Sequence, residues 1–203
     1  MDSRGTEQTL IDYAVAEAAL PGEPESGDLH LVAQHPRGVL VAAIDGLGHG
    51  VEAAEAARAA RAALAEDPSG DLTELFRRAH DQLARSRGVV MSLASFERGG
   101  NLTWLGVGNV EGTLLRAEEG RARRTDSIML RGGVVGYQLP NLRPSTTAVE
   151  PGDILILATD GIGGGYIGTL DPAAGPSALA DGILAGFSKG RDDALVLVAR
   201  YVG

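Results

Sequence analysis

Apolar residues along this chain fall into short runs that are typical of buried strands. Residues 38–44 are continuously apolar, as expected for a strand that is covered on both faces. Residues 153–159 repeat the pattern, and residues 194–201 form a third such run at the end of the chain. These runs predict a sheet core assembled from distant parts of the sequence.

Further strands follow from alternating or β-branched segments bounded by glycine, proline and polar residues. They are predicted at residues 9–18, 30–34, 89–97, 101–108, 110–116, 121–127 and 145–149. Between two of them, Gly99 and Gly100 predict a two-residue hairpin turn. The chain is therefore rich in antiparallel strands.

Three segments predict helices. Residues 51–66 are rich in alanine and contain no glycine or proline. A second helix is predicted from Asp71, a suitable N-cap, to about residue 86, and a third over residues 177–187 after Pro176. A helical pair early and one helix late among many strands predict an α+β fold of two packed sheets flanked by helices.

Length and composition fit one globular domain over residues 1–203, because 203 residues with 44% hydrophobic content can bury a sizeable core. The lack of cysteine excludes disulfides, thiolate metal sites and a cysteine nucleophile. A net charge of −9 argues against nucleic-acid binding. The amino terminus has no signal-peptide pattern and no run is long enough to span a membrane, so we expect a cytoplasmic protein without a membrane partner.

Aspartates occur at the ends of the apolar runs. Asp45 and Asp160 each follow such a run and precede a glycine, Asp192 and Asp193 precede the last run, and Asp28 precedes the segment 30–34. Asp-Gly is also a common turn dipeptide, so each one alone is weak evidence for a site. A sheet that gathers these carboxylates would force them to repel one another unless divalent cations such as Mg²⁺ or Mn²⁺ neutralise them. The pattern favours a metal-dependent hydrolase.

The order of these motifs resembles a known family. Ser26-Gly27-Asp28, Asp45-Gly46-Leu47-Gly48-His49-Gly50, Thr159-Asp160-Gly161 and Asp192-Asp193 stand in the order found in metal-dependent (PPM, type 2C) protein serine/threonine phosphatases. The chain looks closest to their bacterial SpoIIE-like branch, and its length resembles the RsbX type, which acts on the stressosome. The resemblance covers residues from about 28 to 200. It implies an α-β-β-α sandwich with a metal centre between the ends of the two sheets.

The resemblance also implies roles. Asp45 matches the bridging carboxylate, the carbonyl of Gly46 a main-chain ligand, and Asp28 the acid of one metal. Asp160 and Asp192 match the carboxylates that complete the other metal. Two Mn²⁺ or Mg²⁺ ions are expected, with a third as an open alternative, and a metal-bridging hydroxide would attack the phosphoryl group.

Three residues leave alternatives open. Asp193 either orients other ligands or binds a third metal. His49 either protonates the leaving oxygen or is a polar residue at a helix start; in eukaryotic-type relatives histidine follows the Asp-Gly directly. No arginine matches the phosphate-clamping residue of those relatives, and Arg4 is only a candidate.

The expected substrate is a phosphoserine or phosphothreonine on a phosphorylated bacterial regulatory protein, a stressosome scaffold or antagonist. Without a matching clamp, recognition would fall to docking around residues 131–144. Two other classes stay open: an inactive phosphatase-fold binding module and a metal-dependent hydrolase of small phosphoesters.

Overall fold

The computed structural model describes residues 9–117 and 124–203 of the chain. Its strands, in chain order, are β1 Ile11–Ala18, β2 Asp28–His35, β3 Gly38–Gly46, β4 Val89–Glu97, β5 Asn101–Val107, β6 Glu111–Leu115, β7 Thr125–Ser127, β8 Leu130–Arg131, β9 Ser145–Ala148, β10 Ile154–Ala158 and β11 Ala194–Tyr201. Its helices are α1 Val51–Ala65, α2 Leu72–Gln82 and α3 Pro176–Phe187, with a 3₁₀ turn at Tyr166–Thr169.

The strands form two sheets. The first sheet has the order β1-β11-β10-β6-β7, and the second has the order β2-β3-β4-β5-β8 with β9 also paired to β5. All pairs are antiparallel except β5 with β8. The strand predictions are largely confirmed, and β4 and β11 have the predicted bounds.

The layers follow from which side chains are buried together. Residues of both sheets, such as Val41, Phe96 and Leu197, share one apolar cluster between the sheets. The outer face of the second sheet packs on α1 and α2, and the outer face of the first packs on α3. This is the predicted α-β-β-α sandwich.

The alanine content of α1 has a packing reason. The helix buries small side chains at Ala53, Ala54, Ala56, Ala57, Ala60 and Ala63, and the last four pack in the apolar cluster of the second sheet. Small residues let the helix come so close to the end of β3 that a Cβ on Gly46 would lie 2.1 Å from the carbonyl oxygen of Ala53. Glycine is therefore required at position 46 by close approach.

Two local predictions differ from the structure, two short elements were not predicted, and one predicted strand is described only in part. α2 ends at Gln82 instead of residue 86, because the chain turns where the backbone N–H of Ser86 donates to Leu83 O. The β4–β5 hairpin has a three-residue loop, with Gly100 at a φ of 74°. β8 and the 3₁₀ turn were not predicted, since elements this short carry no periodicity. In the predicted strand 121–127, residues 121–123 lie outside the described residues.

Candidate active site

The acidic residues of the second sheet lie at neighbouring strand ends. β2 begins at Asp28 and β3 ends with Asp45 and Gly46, and the antiparallel register places Asp28 directly opposite Asp45. Side chains of directly opposed residues point to the same face of a sheet. Gly46 is held in place by its N–H, which donates to Gly27 O at 3.1 Å. Local register alone therefore brings these two carboxylates together.

The first sheet presents its own acids at the same end of the sandwich. Asp160 follows β10 and Asp192 precedes β11, which are antiparallel neighbours. Asp45, Asp160 and Asp192 line one cleft of about 410 Å³. The structure thus brings carboxylates from both sheets to one cavity, as the strand-end pattern predicted.

Thr159 connects the two sheets beneath the cleft. Its hydroxyl is buried, donates to Asp28 Oδ2 at 2.7 Å and accepts from the backbone N–H of Leu195 at 2.8 Å. A residue at the end of β10 therefore fixes the orientation of a carboxylate on β2. The sequence contained Thr159 within a motif, but nothing in it indicated this contact.

The electrostatics show that the carboxylates lack compensation. Burial raises the pKa of Asp45 to about 8, and repulsion by neighbouring carboxylates, led by Asp28, adds to the rise. Burial also raises the pKa of Asp28 to about 7, although the hydrogen bond from Thr159 opposes the rise. Strongly raised carboxyl pKa values in a cleft are characteristic of functional sites.

Asp193 is buried and is not among the residues that line the cleft. Its side chain is 3% exposed, and its two carboxylate oxygens accept the backbone N–H groups of Leu20 and Gly27, each at 2.7 Å. It therefore anchors the loop between β1 and β2 behind Asp28. This contact agrees with the orienting alternative, and whether Asp193 also binds a metal stays a prediction.

His49 lines the cleft at the start of α1, and its side chain is 57% exposed. Its Nδ1 lies 2.5 Å from Glu23 Oε1, on the loop between β1 and β2. The Glu23 carboxylate thus orients the His49 ring, and the other ring nitrogen, Nε2, does not take part in this contact.

Two residues that sequence reasoning missed contact Asp160. Asn109 Nδ2 donates to Asp160 Oδ2 at 2.7 Å, and Lys189 Nζ donates to the main-chain oxygen of Asp160. Asn109 lies on the β5–β6 turn and Lys189 follows α3, so no local motif joins either residue to Asp160. Both orient the turn that carries the carboxylate.

The donor set fits a hard divalent cation. Carboxylate and main-chain oxygens are the ligands that Mg²⁺ and Mn²⁺ prefer. Burial first, and neighbouring carboxylates next, raise the pKa values of Asp28 and Asp45, and a bound cation would offset both effects. Within residues 9–117 and 124–203, no three carboxylate or imidazole side chains stand close enough to enclose an ion unaided. Water and main-chain oxygens such as that of Gly46 would complete the coordination, as is usual for Mg²⁺.

The two packed sheets, with acidic strand ends around one cleft, have the fold of the type 2C phosphatases. The family model for stage II sporulation protein E, SpoIIE, matches residues 35–202, and the chain therefore belongs to the SpoIIE family.

Solved structures agree with this assignment. A chain from work on the bacterial stressosome, described as a modular system adapted to control secondary messenger signalling, is 29% identical over 94% of this chain and 99% of that one, with a TM-score of 0.86. RsbX in complex with magnesium is 21% identical over 94% and 95%, with a TM-score of 0.81. The serine/threonine phosphatase PstP with two manganese ions is 19% identical over 95% and 99%, with a TM-score of 0.68. The last two likenesses concern the fold alone. No curated protein matches the sequence significantly.

One further finding concerns membranes. Among the helices in the described part of the chain, none is long and apolar enough to cross a bilayer.

Proposed function

We propose that this protein is a metal-dependent protein serine/threonine phosphatase that acts on a phosphorylated bacterial regulatory protein, a stressosome scaffold or antagonist. One observation carries the proposal: Asp45, Asp160 and Asp192 face one cleft, with Asp28 paired to Asp45 beside it. Their charges are compensated by no arginine or lysine ion pair in the described residues.

Two divalent ions, Mn²⁺ or Mg²⁺, are the cofactors that suit these ligands. RsbX and PstP, which share the fold, hold magnesium and manganese respectively. When bound, such ions would lower the pKa of water towards neutrality and neutralise charge on the phosphoryl oxygens. In this proposal Asp28, Asp45, Gly46, Asp160 and Asp192 hold them, and a third ion near Asp193 stays an alternative.

The protein's own groups have distinct parts in the hydrolysis. Thr159 holds the Asp28 carboxylate and Asn109 holds that of Asp160, so both are preorganised. A water molecule releases a proton to solvent and its oxygen bonds to phosphorus while the ester P–O bond breaks, and the leaving serine or threonine oxygen takes up a proton. In this proposal Nε2 of His49 delivers that proton, since Glu23 occupies Nδ1.

A protein substrate suits the surroundings of the cleft. Gly132 and Val134 line it, and they belong to the segment 131–144, which the sequence suggested as a docking region. Tyr137 in this segment is 84% exposed, and Met129 just before it is 65% exposed. Large exposed apolar side chains beside an active site favour contact with a folded partner.

The test is turnover with and without Mn²⁺ on two substrates: a phosphorylated stressosome scaffold protein and a generic aryl phosphate. We expect metal-dependent release of phosphate, with the scaffold protein preferred to a phosphotyrosine peptide. Hydrolysis of only small esters would support a phosphoesterase instead. Absence of turnover on every substrate, with the scaffold still bound, would support a binding module.

A further inference from the structure

Arg191 is an unusual residue in the cleft. The cleft walls carry three carboxylates, and among the lining residues in the described parts of the chain Arg191 is the one arginine or lysine. Other arginines, such as Arg58 and Arg87, contact carboxylates. Arg191 forms no ion pair with any residue in the described ranges, although Asp192 is its neighbour in sequence. Its guanidinium is exposed and available to a ligand.

The backbone that carries Arg191 is fixed against the Asp160 turn. Gly163 N–H donates to Phe187 O at 2.7 Å, and Lys189 N–H donates to Gly161 O at 2.8 Å. Gly190 then turns the chain with a φ of 64°, a conformation that favours glycine. These contacts place Arg191 at the cleft through main-chain geometry.

The charge balance of a metal-loaded cleft favours a cation beside the substrate's phosphoryl group. The four carboxylates of Asp28, Asp45, Asp160 and Asp192 carry as much negative charge as two divalent ions carry positive charge. A phosphoserine or phosphothreonine adds about −1.5 to −2 at neutral pH. A filled metal site therefore leaves the phosphoryl group uncompensated, and one further cation is needed beside it.

We propose that Arg191 binds the phosphoryl oxygens of the substrate and of the phosphate product. This inference rests on the proposed function, since it places a phosphoryl group in the metal-loaded cleft. A guanidinium is always charged, and its planar fork matches two phosphate oxygens. Arg191 thus takes the part of the clamp for which the sequence offered only Arg4, which lies outside the described residues.

The experiment compares Arg191→Ala and Arg191→Lys with the wild-type protein and with Arg77→Ala. Arg77 is an exposed arginine on α2 that does not line the cleft, so it controls for loss of surface charge. The probe is inorganic phosphate, measured by calorimetry in the presence of Mg²⁺ and as an inhibitor of aryl phosphate turnover. The affinity for Mg²⁺ is measured in each variant.

We expect Arg191→Ala to weaken phosphate binding by about tenfold to a hundredfold, the usual effect of losing a hydrogen bond to a charged group. Arg191→Lys should keep part of the affinity, because it preserves the charge without the fork. Arg77→Ala should bind phosphate like the wild type, and Mg²⁺ affinity should stay unchanged in all variants.

The outcomes separate this inference from the proposed function. Wild-type phosphate affinity in Arg191→Ala would overturn the role of Arg191 and leave the phosphatase proposal intact. Reduced Mg²⁺ affinity in Arg191→Ala would also overturn it, since the residue would then act through the metal centre. A wild-type protein that binds phosphate through Arg191 but hydrolyses no ester would refute the proposed function alone.

Discussion

Two groups of aspartates in this protein differ in whether a basic side chain neutralises them. On one side of the first sheet, Asp153 is 3% exposed, and its carboxylate accepts from Arg116 Nη1 at 3.0 Å. Arg116 also contacts Asp126, on the neighbouring strand β7. At the cleft, Asp28 is 2% exposed and Asp45 lies opposite it. Among the described side chains, the one hydrogen-bond donor to the Asp28 carboxylate is the neutral hydroxyl of Thr159.

The difference indicates what each cluster is for. The Arg116 cluster carries its own cation, so it is complete as part of the fold and ties β6, β7 and the turn before β10 together. Among the described residues, no arginine or lysine forms an ion pair with the cleft carboxylates, and holding them together without one costs free energy. A fold that retains such a cluster gains from it only when cations bind there. The predictions below test this contrast.

The largest expected effect is on catalysis. Asp45→Asn should lower turnover about 10³-fold or more, beyond the roughly 10- to 100-fold typical of residues that only orient metal ligands. The reason is that it removes the carboxylate that, in the proposed site, bridges the two ions. The fold should be kept, since the two side chains have the same shape. Steady-state turnover with Mn²⁺ measures the loss, and calorimetry measures Mn²⁺ binding. Unchanged Mn²⁺ binding in both Asp45→Asn and Asp160→Asn would refute the proposed site.

The opposite result is expected in the Arg116 cluster. Arg116→Ala should destabilise the fold by about 3–5 kcal/mol, because it leaves the buried Asp153 carboxylate without its cation. Urea unfolding measures this change. Mn²⁺ affinity of the folded variant should equal that of the wild type. A loss of Mn²⁺ affinity comparable to that of Asp45→Asn would show that the two clusters are not independent.

Metal addition should distinguish the clusters again. Mn²⁺ or Mg²⁺ at a hundredfold excess over Kd should stabilise the wild-type protein by about 2.7 kcal/mol, because the ions bind only the folded state. Thermal unfolding in metal and in chelator measures the shift. Arg116→Ala should show the full increment, and Asp45→Asn should show little. An equal response in Asp45→Asn would place the stabilising ions elsewhere.

The pH dependence of the metal-free protein follows from the raised pKa values. Folding raises the pKa of Asp45 from 3.8 to about 8 and that of Asp28 from 3.8 to about 7. At a pH between the unfolded and the folded pKa of each group, the folded state therefore keeps a proton that the unfolded state has released. Stability in chelator should therefore fall as the pH rises from about 4 to about 8. Urea unfolding across this range should show a shallower fall for Asp45→Asn. If the stability of the wild-type protein instead rose over this pH range, and rose more than that of Asp45→Asn, the cleft carboxylates could not be the uncompensated groups described above.

Sequence patterns predicted the fold and the acids of the cleft for a clear physical reason. Strands buried on both faces need long apolar runs, and an aspartate directly after such a run lies at the end of its strand. Asp45 lies at the end of β3, and Asp160 follows β10. The contacts around them were beyond sequence reasoning. The contact of Thr159 with Asp28 depends on how the two sheets are packed, and that of Asn109 with Asp160 depends on the pairing of β6 with β10. The position of Arg191 depends on main-chain contacts with the turn after Asp160. No local periodicity encodes any of these contacts. The ligand roles of the acids stay predictions.

The smallest effect concerns the hydroxyl that joins the two sheets. Thr159→Val should lower metal affinity by about tenfold, because Asp28 loses the hydrogen bond that orients it. It should also cost about 1–3 kcal/mol of stability, since the buried N–H of Leu195 loses its acceptor at Thr159. Thr159→Ser is the matched control, as it keeps the hydroxyl and removes one methyl group. Calorimetry with Mg²⁺ and urea unfolding measure both effects. If Thr159→Val binds Mg²⁺ as tightly as Thr159→Ser, the orientation of Asp28 does not depend on this contact, and the register of β2 with β3 is enough to hold Asp28 beside Asp45.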